Sequence, residues 1–332
     1  MEKSFSKRIF LIVLTVIFGY MIVQSVSLAQ VPFPRHPVTI WVMFPAGGIA
    51  DIYARTLAET MEQSLGQKIV VINKPGGGGT VGTSLLAKEK PDGYTVGISS
   101  DTAITKSPHM MDLGYDPFRD LTFIVRVAIV KDCFAVRADS PFKKWEDVVE
   151  WAKKNPGQLV YGHLGKGTTL HLDMVKIAKK EGFTFRDVPF AGDAPAVTAL
   201  LGGHVMLVGA SSFAFYSHVL AGGLRVLLTD EKRGVDFAPD ATTFEKMHYQ
   251  DLPPAFHLIY GPKGLPDEVR KVLEKAFIDA IQGEKFKAVA KRYDVVLAEP
   301  LTGDALLDNL KKSSLACEQL IKEAGLYKSE RK

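Results

Sequence analysis

The hydrophobic positions of the chain follow two patterns that alternate along the sequence. Short runs rich in β-branched residues, such as 38–44 (VTIWVMF), predict strands. Between these runs apolar residues recur at helical spacing, as Tyr53, Leu57 and Met61 do within 49–65. Strands that alternate with amphipathic helices are typical of layers with a parallel sheet, so the pattern predicts an α/β fold.

The predicted elements cover most of the chain. The predicted strands are 38–44, 69–72, 94–98, 123–130, 133–137, 159–162, 205–209 and 224–228. The predicted helices are 49–65, 79–88, 145–154, 169–181, 194–202, 213–221, 266–282, 284–292 and 303–324. After residue 250 the sequence is mostly helical. The segments 123–137 and 252–266 (LPPAFHLIYGPKGLP) are the best candidates for two strands that cross between lobes.

The length of the chain, 332 residues, predicts two lobes, because it exceeds what one hydrophobic core usually serves. The first lobe is expected to comprise residues 30–131 and 252–332. The second lobe is expected to comprise residues 132–251. The two crossing segments lie at these boundaries.

The first 29 residues have the organisation of a secretory signal peptide. Basic residues precede an apolar run over 9–23, and the small residues of 27–29 (SLA) stand where a signal peptidase reads them. A membrane anchor is the alternative, but the run is shorter than the roughly 20 residues that a spanning helix needs. We therefore expect an exported, periplasmic protein that is cleaved near Ala29.

The charge balance argues against a nucleic-acid-binding protein. The chain has 41 Lys and Arg residues against 37 Asp and Glu residues, and removal of the basic leader leaves it nearly neutral. A nucleic-acid-binding surface would require a basic stripe. The lysine pairs of this chain, such as 143–144 and 311–312, are typical of solvated helix surfaces.

Two cysteines remain in the exported chain, and an oxidising compartment would permit one disulfide. Cys133 lies in the strand-like run 131–136 (KDCFAV), and Cys317 lies in the middle of a predicted helix. Two buried thiols are the preferred interpretation.

Nucleotide-binding motifs do not fit the glycine-rich segments. Gly77, Gly79 and Gly82 have the spacing of a dinucleotide fingerprint, with Asp101 roughly 20 positions later, but a glycine tract produces such matches by chance. The segment 162–169 (GHLGKGTT) has glycine after its lysine, where a P-loop requires Ser or Thr. We expect no nucleotide cofactor.

Metal and nucleophile chemistry is also weakly supported. His163, His171 and Asp173 form the best metal-like cluster, but residues two apart on a helix point in different directions. No G-x-S-x-G pentapeptide is present for a serine hydrolase, and neither cysteine lies in a loop. The sequence therefore predicts no metal and no enzyme activity.

Several predicted strands end in small or hydroxyl residues, directly before a predicted helix. These strand ends are 46–48, 99–102, 165–169 and 211–212, and the segment 192–195 opens a further helix with proline in its first turn. Each helix start offers free backbone N–H groups and the positive end of the helix dipole. Any one of them is explained by ordinary helix capping. Together, at the carboxyl ends of strands in both lobes, they predict a shared cleft for a small anion.

These segments resemble the Bug family, the extracytoplasmic solute receptors of tripartite tricarboxylate transporters. In the first half, the resemblance is carried by PAGGIAD (45–51), LGQ (65–67), VINKPGGGG (71–79) and KPDGYT (90–95). In the second half it is carried by the segments 153–172, 188–205 and 219–230. It covers essentially the whole exported chain, and several long motifs in order are more specific than any single one.

The resemblance implies a two-lobed periplasmic-binding-protein fold of type II, a Venus-flytrap with its ligand cleft between the lobes and two crossover strands. It also implies a monomeric receptor that captures a small organic acid, a mono- or dicarboxylate, aromatic ones included, and delivers it to membrane permease subunits. Two other functions stay open: a sensor that presents its ligand to a membrane kinase, and an exported α/β enzyme that acts on a phosphorylated substrate.

The resemblance also implies the ligand-binding residues. The backbone N–H groups of 46–48 would hold a carboxylate, the loop 165–169 would face them, and the remaining loops would set specificity. The implied residues are Phe44, Ala46, Gly47, Gly48, Asp51, Ser100, Asp101, Gly165, Lys166, Gly167, Thr168, Thr169, His171, Asp193 and Ser211.

The chain departs from the family pattern at three positions, Met206, Asp193 and Lys166. Asp193 and Lys166 would suit a ligand with an amine or hydroxyl beside its acid group. They would equally suit pairing with each other or exposure to solvent. Asp51 would either order its own loop or meet a donor on the ligand.

Overall fold

The computed structural model describes residues 33–232, 234–249, 253–293 and 295–328. The chain divides into two units, Met1–Arg35 and His36–Lys332, and the description below concerns the second. The segment assigned above to a signal peptide lies outside the described residues. Within the described ranges, no helix combines the length and the apolar character needed to cross a membrane.

The strands of the second unit form two sheets. In chain order they are β1 (Val38–Val42), β2 (Ile69–Asn73), β3 (Thr95–Ser100), β4 (Leu121–Ile129), β5 (Asp132–Arg137), β6 (Leu159–His163), β7 (Phe185–Pro189), β8 (Leu207–Ser211), β9 (Leu224–Thr229), β10 (Thr242–Thr243) and β11 (Phe256–Pro262). The first sheet has the order β2-β1-β3-β11-β4, and the second has the order β10-β9-β5-β8-β6-β7.

The helices follow the strands in sequence. They are α1 (Ile49–Leu65), α2 (Thr80–Leu86), α3 (Thr102–Thr105), α4 (Ser107–Met110), α5 (Pro117–Asp120), α6 (Trp145–Lys154), α7 (Thr169–Glu181), α8 (Asp193–Leu201), α9 (Ser212–Leu220), α10 (Asp267–Gln282), α11 (Glu284–Arg292) and α12 (Gly303–Glu323). A 3₁₀ turn, Gly77–Gly79, precedes α2.

Each sheet combines parallel strands with strands of opposite direction. In the first sheet, β1 is parallel to β2 and β3, whereas β11 is antiparallel to both β3 and β4. In the second sheet, β6 is parallel to β7 and β8, whereas β5 is antiparallel to β8 and β9. The α/β fold predicted from the hydrophobic pattern is confirmed. Because neighbouring parallel strands run in the same direction, their carboxyl ends lie at the same edge of each sheet.

The chain passes between the sheets at the segments predicted to cross. It leaves the first sheet at the end of β4, and after residues 130–131 it enters the second sheet at Asp132. It is back in the first sheet at Phe256, where β11 begins between β3 and β4. Asp101 lies beside this return, since its backbone N–H donates to the Phe256 carbonyl at 2.9 Å.

Apolar side chains fill both sides of the sheets. Around the second sheet, Phe134, Trp145 and Tyr161 are fully buried, and the Trp145 indole N–H donates to the Tyr249 hydroxyl at 2.8 Å. Around the first sheet, Tyr53 is one of the buried side chains on the inner face of α1. These densely packed cores hold the loops at the strand ends in place.

Both cysteines are free and buried, as the preferred interpretation of the sequence predicted. Cys133 lies in β5 and Cys317 lies in α12.

Strand β7 was not predicted, and its sequence explains why. Its residues, FRDVP, show little hydrophobic alternation and end in proline. β7 lies at the edge of the second sheet and pairs only with β6 among the described strands. An edge strand needs neither a continuous apolar face nor a full set of backbone donors, so the usual strand signals are absent there.

Candidate ligand-binding site

A cavity lies where the loops at the carboxyl ends of strands from both sheets meet. Its walls include the segment after β1, the end of β3, the segment after β6, the start of α8 and the end of β8. The empty volume among its lining residues is about 590 Å³, including the part that opens to solvent.

The structure brings about half of the predicted site residues to the wall of this cavity. Those that line it are Phe44, Gly48, Ser100, Thr168, Thr169, Asp193 and Ser211. Those that do not line it are Ala46, Gly47, Asp51, Asp101, Gly165, Lys166, Gly167 and His171. Most of the second group make hydrogen bonds within the loops, as the contacts below show.

Asp51 makes hydrogen bonds within its own loop, the first of the two roles that the sequence left open. Its Oδ2 accepts hydrogen bonds from the Gly47 N–H and from Arg55 Nε, both at 3.0 Å. Its Oδ1 accepts a hydrogen bond from Asn73 Nδ2 at 3.0 Å. The Gly47 N–H predicted to hold a ligand carboxylate is therefore bonded to Asp51. Gly47 has φ of 81°, a conformation that favours glycine.

The contacts of Asp51 stabilise its charged form. Burial raises the pKa of this carboxyl, but the hydrogen bonds from Arg55, Gly47 and Asn73 outweigh burial and hold the pKa below its ordinary value. The stabilisation is therefore present above the unfolded pKa, near 4, and is lost as the pH falls through the folded pKa.

Substitution Asp51→Asn is expected to reduce the free energy of unfolding by about 1–3 kcal/mol at neutral pH, because it removes the charge that holds Gly47 and Arg55. The difference from the wild type should shrink on acidification, and urea unfolding at several pH values measures it. Glu59→Gln, on the same helix with an exposed ion pair to Lys285, is the matched control. An Asp51→Asn variant as stable as this control would show that the loop does not depend on Asp51.

Asp101 is fully buried in an ion pair with Lys106. Lys106 Nζ lies 2.8 Å from Asp101 Oδ2, and both side chains have no exposed area. The Thr105 hydroxyl donates to the same oxygen at 2.8 Å. Ser100 and Thr102 line the cavity and form its floor. Asp101 lies between them in sequence and stabilises this floor from behind.

The loop 165–169 is held by its own backbone and by two histidines. The Gly165 carbonyl oxygen accepts from the Thr168 hydroxyl at 2.8 Å, and His163 Nδ1 lies 3.0 Å from the same oxygen. The Gly167 N–H donates to His171 Nδ1 at 3.3 Å. Lys166 is half-exposed, and its Nζ lies 3.7 Å from Asp187 rather than beside Asp193.

His163, His171 and Asp187 are the described residues best placed to hold a metal ion, since one ligand atom from each lies within 4.8 Å of the others. The metal-like cluster considered from sequence contained Asp173 instead. The Lys166 ammonium beside Asp187 disfavours a bound cation, and His171 Nδ1 already accepts from Gly167. We therefore assign these groups to support of the loop.

The amino terminus of α7 opens onto the cavity. Thr168, Thr169 and Leu170 line the wall, and Thr168 makes no side-chain capping bond. The Thr169 hydroxyl oxygen is buried without a hydrogen-bond partner. The first N–H groups of a helix have no partner inside the helix, so this end offers donors and a positive dipole to an anion.

His257 adds a second unpartnered polar atom to the wall. It lies at the start of β11 opposite Ser100, and its Nδ1 is buried without a hydrogen-bond partner. Burial lowers the pKa of His257 to about 4, so the imidazole is neutral at physiological pH. Buried polar atoms are normally paired, so these two atoms are available to hydrogen-bond a group that enters the cavity.

Asp193 connects the two sides of the cavity. Its Oδ1 accepts from the Ser211 N–H at 3.0 Å, and its Oδ2 faces Gly48, 3.8 Å from where a Cβ on that glycine would stand. Burial raises the pKa of Asp193, while the N–H groups of Ser211 and Ile49 act in the opposite direction. The start of α1, expected to hold a ligand carboxylate, thus already faces a carboxylate of the protein.

Six further lining residues lie outside every segment predicted for the site. They are Val130, Asp132, Leu164, Leu170, Ala255 and His257. Val130, Asp132, Ala255 and His257 belong to the two crossing segments. Those segments were found from the sequence, but nothing in it indicated that their ends also form the walls of the site.

The fold and the site together define a two-lobed α/β receptor with an interlobe cleft for a small polar ligand. Residues 53–326 match the model of a family described as "Tripartite tricarboxylate transporter family receptor". The chain belongs to this family, a family of solute-binding receptors, and the resemblance stated from the sequence is confirmed.

Individual proteins agree with this assignment. A Cupriavidus necator protein, described as "UPF0065 protein in gbd 5'region", is 34% identical over 264 residues, which are 79% of this chain and 80% of the relative. The solved structure of periplasmic binding protein BugD has a TM-score of 0.83 at 29% identity, covering 89% of this chain and 99% of BugD. An R. palustris protein solved with adipate has a TM-score of 0.82, covering 89% of this chain and 99% of its own. At 24% identity, that protein supports the fold alone.

Proposed function

We propose that this chain is an exported receptor that captures a small carboxylate-bearing ligand in the cavity between its lobes. It then delivers the ligand to a permease of the tripartite tricarboxylate type, without catalysis. The receptor works as a periplasmic monomer with lobes formed by residues 30–131 with 252–332 and by residues 132–251. Its lobes close on the ligand by a hinge motion at the two crossing segments.

The observation that carries this proposal is the start of α7 in the cavity wall. It combines free backbone donors, the positive end of a 13-residue helix and the unpartnered Thr169 hydroxyl. Hydrogen bonds from such donors to a carboxylate are about twice as strong as those between neutral groups, so no arginine is required. The adipate in a protein of the same fold is a ligand of this chemical class.

A calorimetric panel of mono- and dicarboxylates, with and without aromatic rings and amines, tests the proposal. At least one acid is expected to bind, and Thr169→Val should weaken its binding by about 10-fold to 100-fold, because a hydrogen bond to a charged group contributes about 1.5–3 kcal/mol. Thr198→Val, an exposed position on α8, is the control. The absence of any acid binding more tightly than about 1 mM would reject the proposal.

A further inference from the structure

Asp132 is the buried acidic side chain of the cavity that lacks a partner. Its exposed fraction is 3%, and it lines the cavity where the chain enters the second sheet. Its backbone N–H donates to Asp230 Oδ1 at 2.8 Å, and its carbonyl accepts from the Thr229 hydroxyl at 3.0 Å. Within the described part of the chain, every hydrogen bond of Asp132 uses its backbone, so the carboxyl is left for the cavity.

The surroundings of Asp132 are acidic. Asp230, Asp173 and Asp193 are close enough to disfavour its negative charge. Of the described residues that line the cavity, none is lysine or arginine. The positive charge of Lys106 acts on Asp132 but does not outweigh burial and the neighbouring carboxyls. Lys106 is not part of the wall, and its Nζ lies 2.8 Å from Asp101.

Asp193 differs from Asp132 because the protein supplies its carboxyl with hydrogen-bond donors. The carboxyl accepts the Ser211 N–H and faces the start of α1, and these donors partly offset the burial that raises its pKa. Two carboxyls therefore line a cavity without a basic residue, and only that of Asp193 is supplied with donors. A buried carboxylate is strongly destabilising unless it is paired.

We propose that the ligand carries an amine beside its carboxylate, and that Asp132 binds the ammonium group while the start of α7 binds the carboxylate. This inference rests on the proposed function, since it assigns the ligand of the same cavity to the class of amino acids and related amine-bearing acids. Asp132 is then a specificity residue, which distinguishes these ligands from simple organic acids.

The alternative role of Asp132 is that of a protonated acid, which donates a hydrogen bond to an oxygen of an amine-free ligand. Asparagine discriminates between the two roles. Its amide retains a hydrogen-bond donor of similar shape but cannot neutralise an ammonium group.

Matched ligand pairs measured by calorimetry test the inference: succinate with aspartate, glutarate with glutamate, and butyrate with 4-aminobutyrate. For at least one pair, the wild type is expected to bind the amine-bearing acid about 10-fold to 100-fold more tightly. N-acetylation of that ligand should abolish the preference. Asp132→Asn should reduce it to within about 3-fold. Asp139→Asn, an exposed carboxylate paired with Arg137, should retain it.

Three outcomes separate this inference from the proposed function. Acid binding without a preference for amines overturns the inference and leaves the proposed function intact. A preference that persists in Asp132→Asn also overturns it. Binding of no acid at all overturns both. Because the acetylated ligand is tested on the wild type, the inference can be rejected even if the variant folds poorly.

Discussion

Lys106→Met is expected to reduce the free energy of unfolding by about 3–5 kcal/mol, because it leaves Asp101 as an unpaired buried carboxylate. Burial alone lowers the pKa of Lys106, but the Asp101 carboxylate outweighs burial and holds the pKa above its ordinary value. The ammonium is therefore charged in the folded protein. Urea denaturation followed by circular dichroism measures the loss.

The position of this ion pair explains the size of the effect. Asp101 stands between the end of β3 and the start of β11, where Phe256 accepts its N–H, and Lys106 lies in the turn behind it. Loss of the pair therefore loosens the floor of the cavity as well as the first sheet. Ligand affinity should fall together with stability.

Two control variants make the prediction specific. The double variant Asp101→Asn with Lys106→Met removes both charges and should recover most of the lost stability, since a buried pair can be replaced by neutral groups at little cost. Lys275→Met breaks an exposed pair with Asp279 and should change stability by less than about 1 kcal/mol. A Lys106→Met variant as stable as Lys275→Met would contradict the prediction.

The sequence predicted the α/β fold because its signals there are local. The alternation of apolar runs and amphipathic helices depends only on neighbouring residues, and most of the predicted helices are present. The glycine and hydroxyl residues at strand ends were also recognisable. Gly48, Ser100, Thr168 and Ser211 do line the cavity.

The direction of side chains within those loops was not predictable in the same way. Asp51 and Asp101 lie in the recognised segments, but each is turned to partners that are distant in sequence or buried behind the wall. Asp51, for example, accepts a hydrogen bond from Asn73, which lies 22 positions away in the sequence. Only the packing of β1 against β2 brings that amide into reach.

Asp132 and His257 were missed for a related reason. Each occurs at the start of an apolar strand, where a polar residue is usually read as the end of a loop. Their position in the cavity depends on where the chain crosses between sheets and on the pairing of His257 with Ser100. Such pairing is a property of the assembled sheet, so the local sequence carries no signal for it.

Asp132→Asn is expected to stabilise the ligand-free protein at neutral pH by about 1–3 kcal/mol, because it replaces a buried, unpartnered carboxyl by a neutral amide. For a chain of this size, about 1 kcal/mol corresponds to a shift of roughly 2–4 °C or less in melting temperature. The same substitution should weaken the preference for amine-bearing ligands. A residue that is retained for ligand recognition is expected to lower the stability of the protein while it supports binding.

The pH dependence identifies the physical cause of this gain. Burial, together with the neighbouring carboxyls of Asp230, Asp173 and Asp193, raises the pKa of Asp132 well above its ordinary value. The folded protein therefore binds a proton that the unfolded chain has released, and stability falls as the pH rises from the unfolded pKa, near 4, through the folded pKa. Asparagine does not titrate, so the variant lacks this loss.

Melting temperatures of the wild type and of Asp132→Asn between pH 4 and pH 8 measure the difference. The stabilisation should be largest at the upper end of this range and should become small toward pH 4, where the folded carboxyl is protonated and the unfolded chain has released only about half of its proton. Asp139→Asn, in the exposed turn after β5, should not reproduce this profile. A stabilisation that is independent of pH would mean that packing, and not the buried charge, makes Asp132 unfavourable. A loss of stability at neutral pH would show instead that the carboxyl is already paired within the protein.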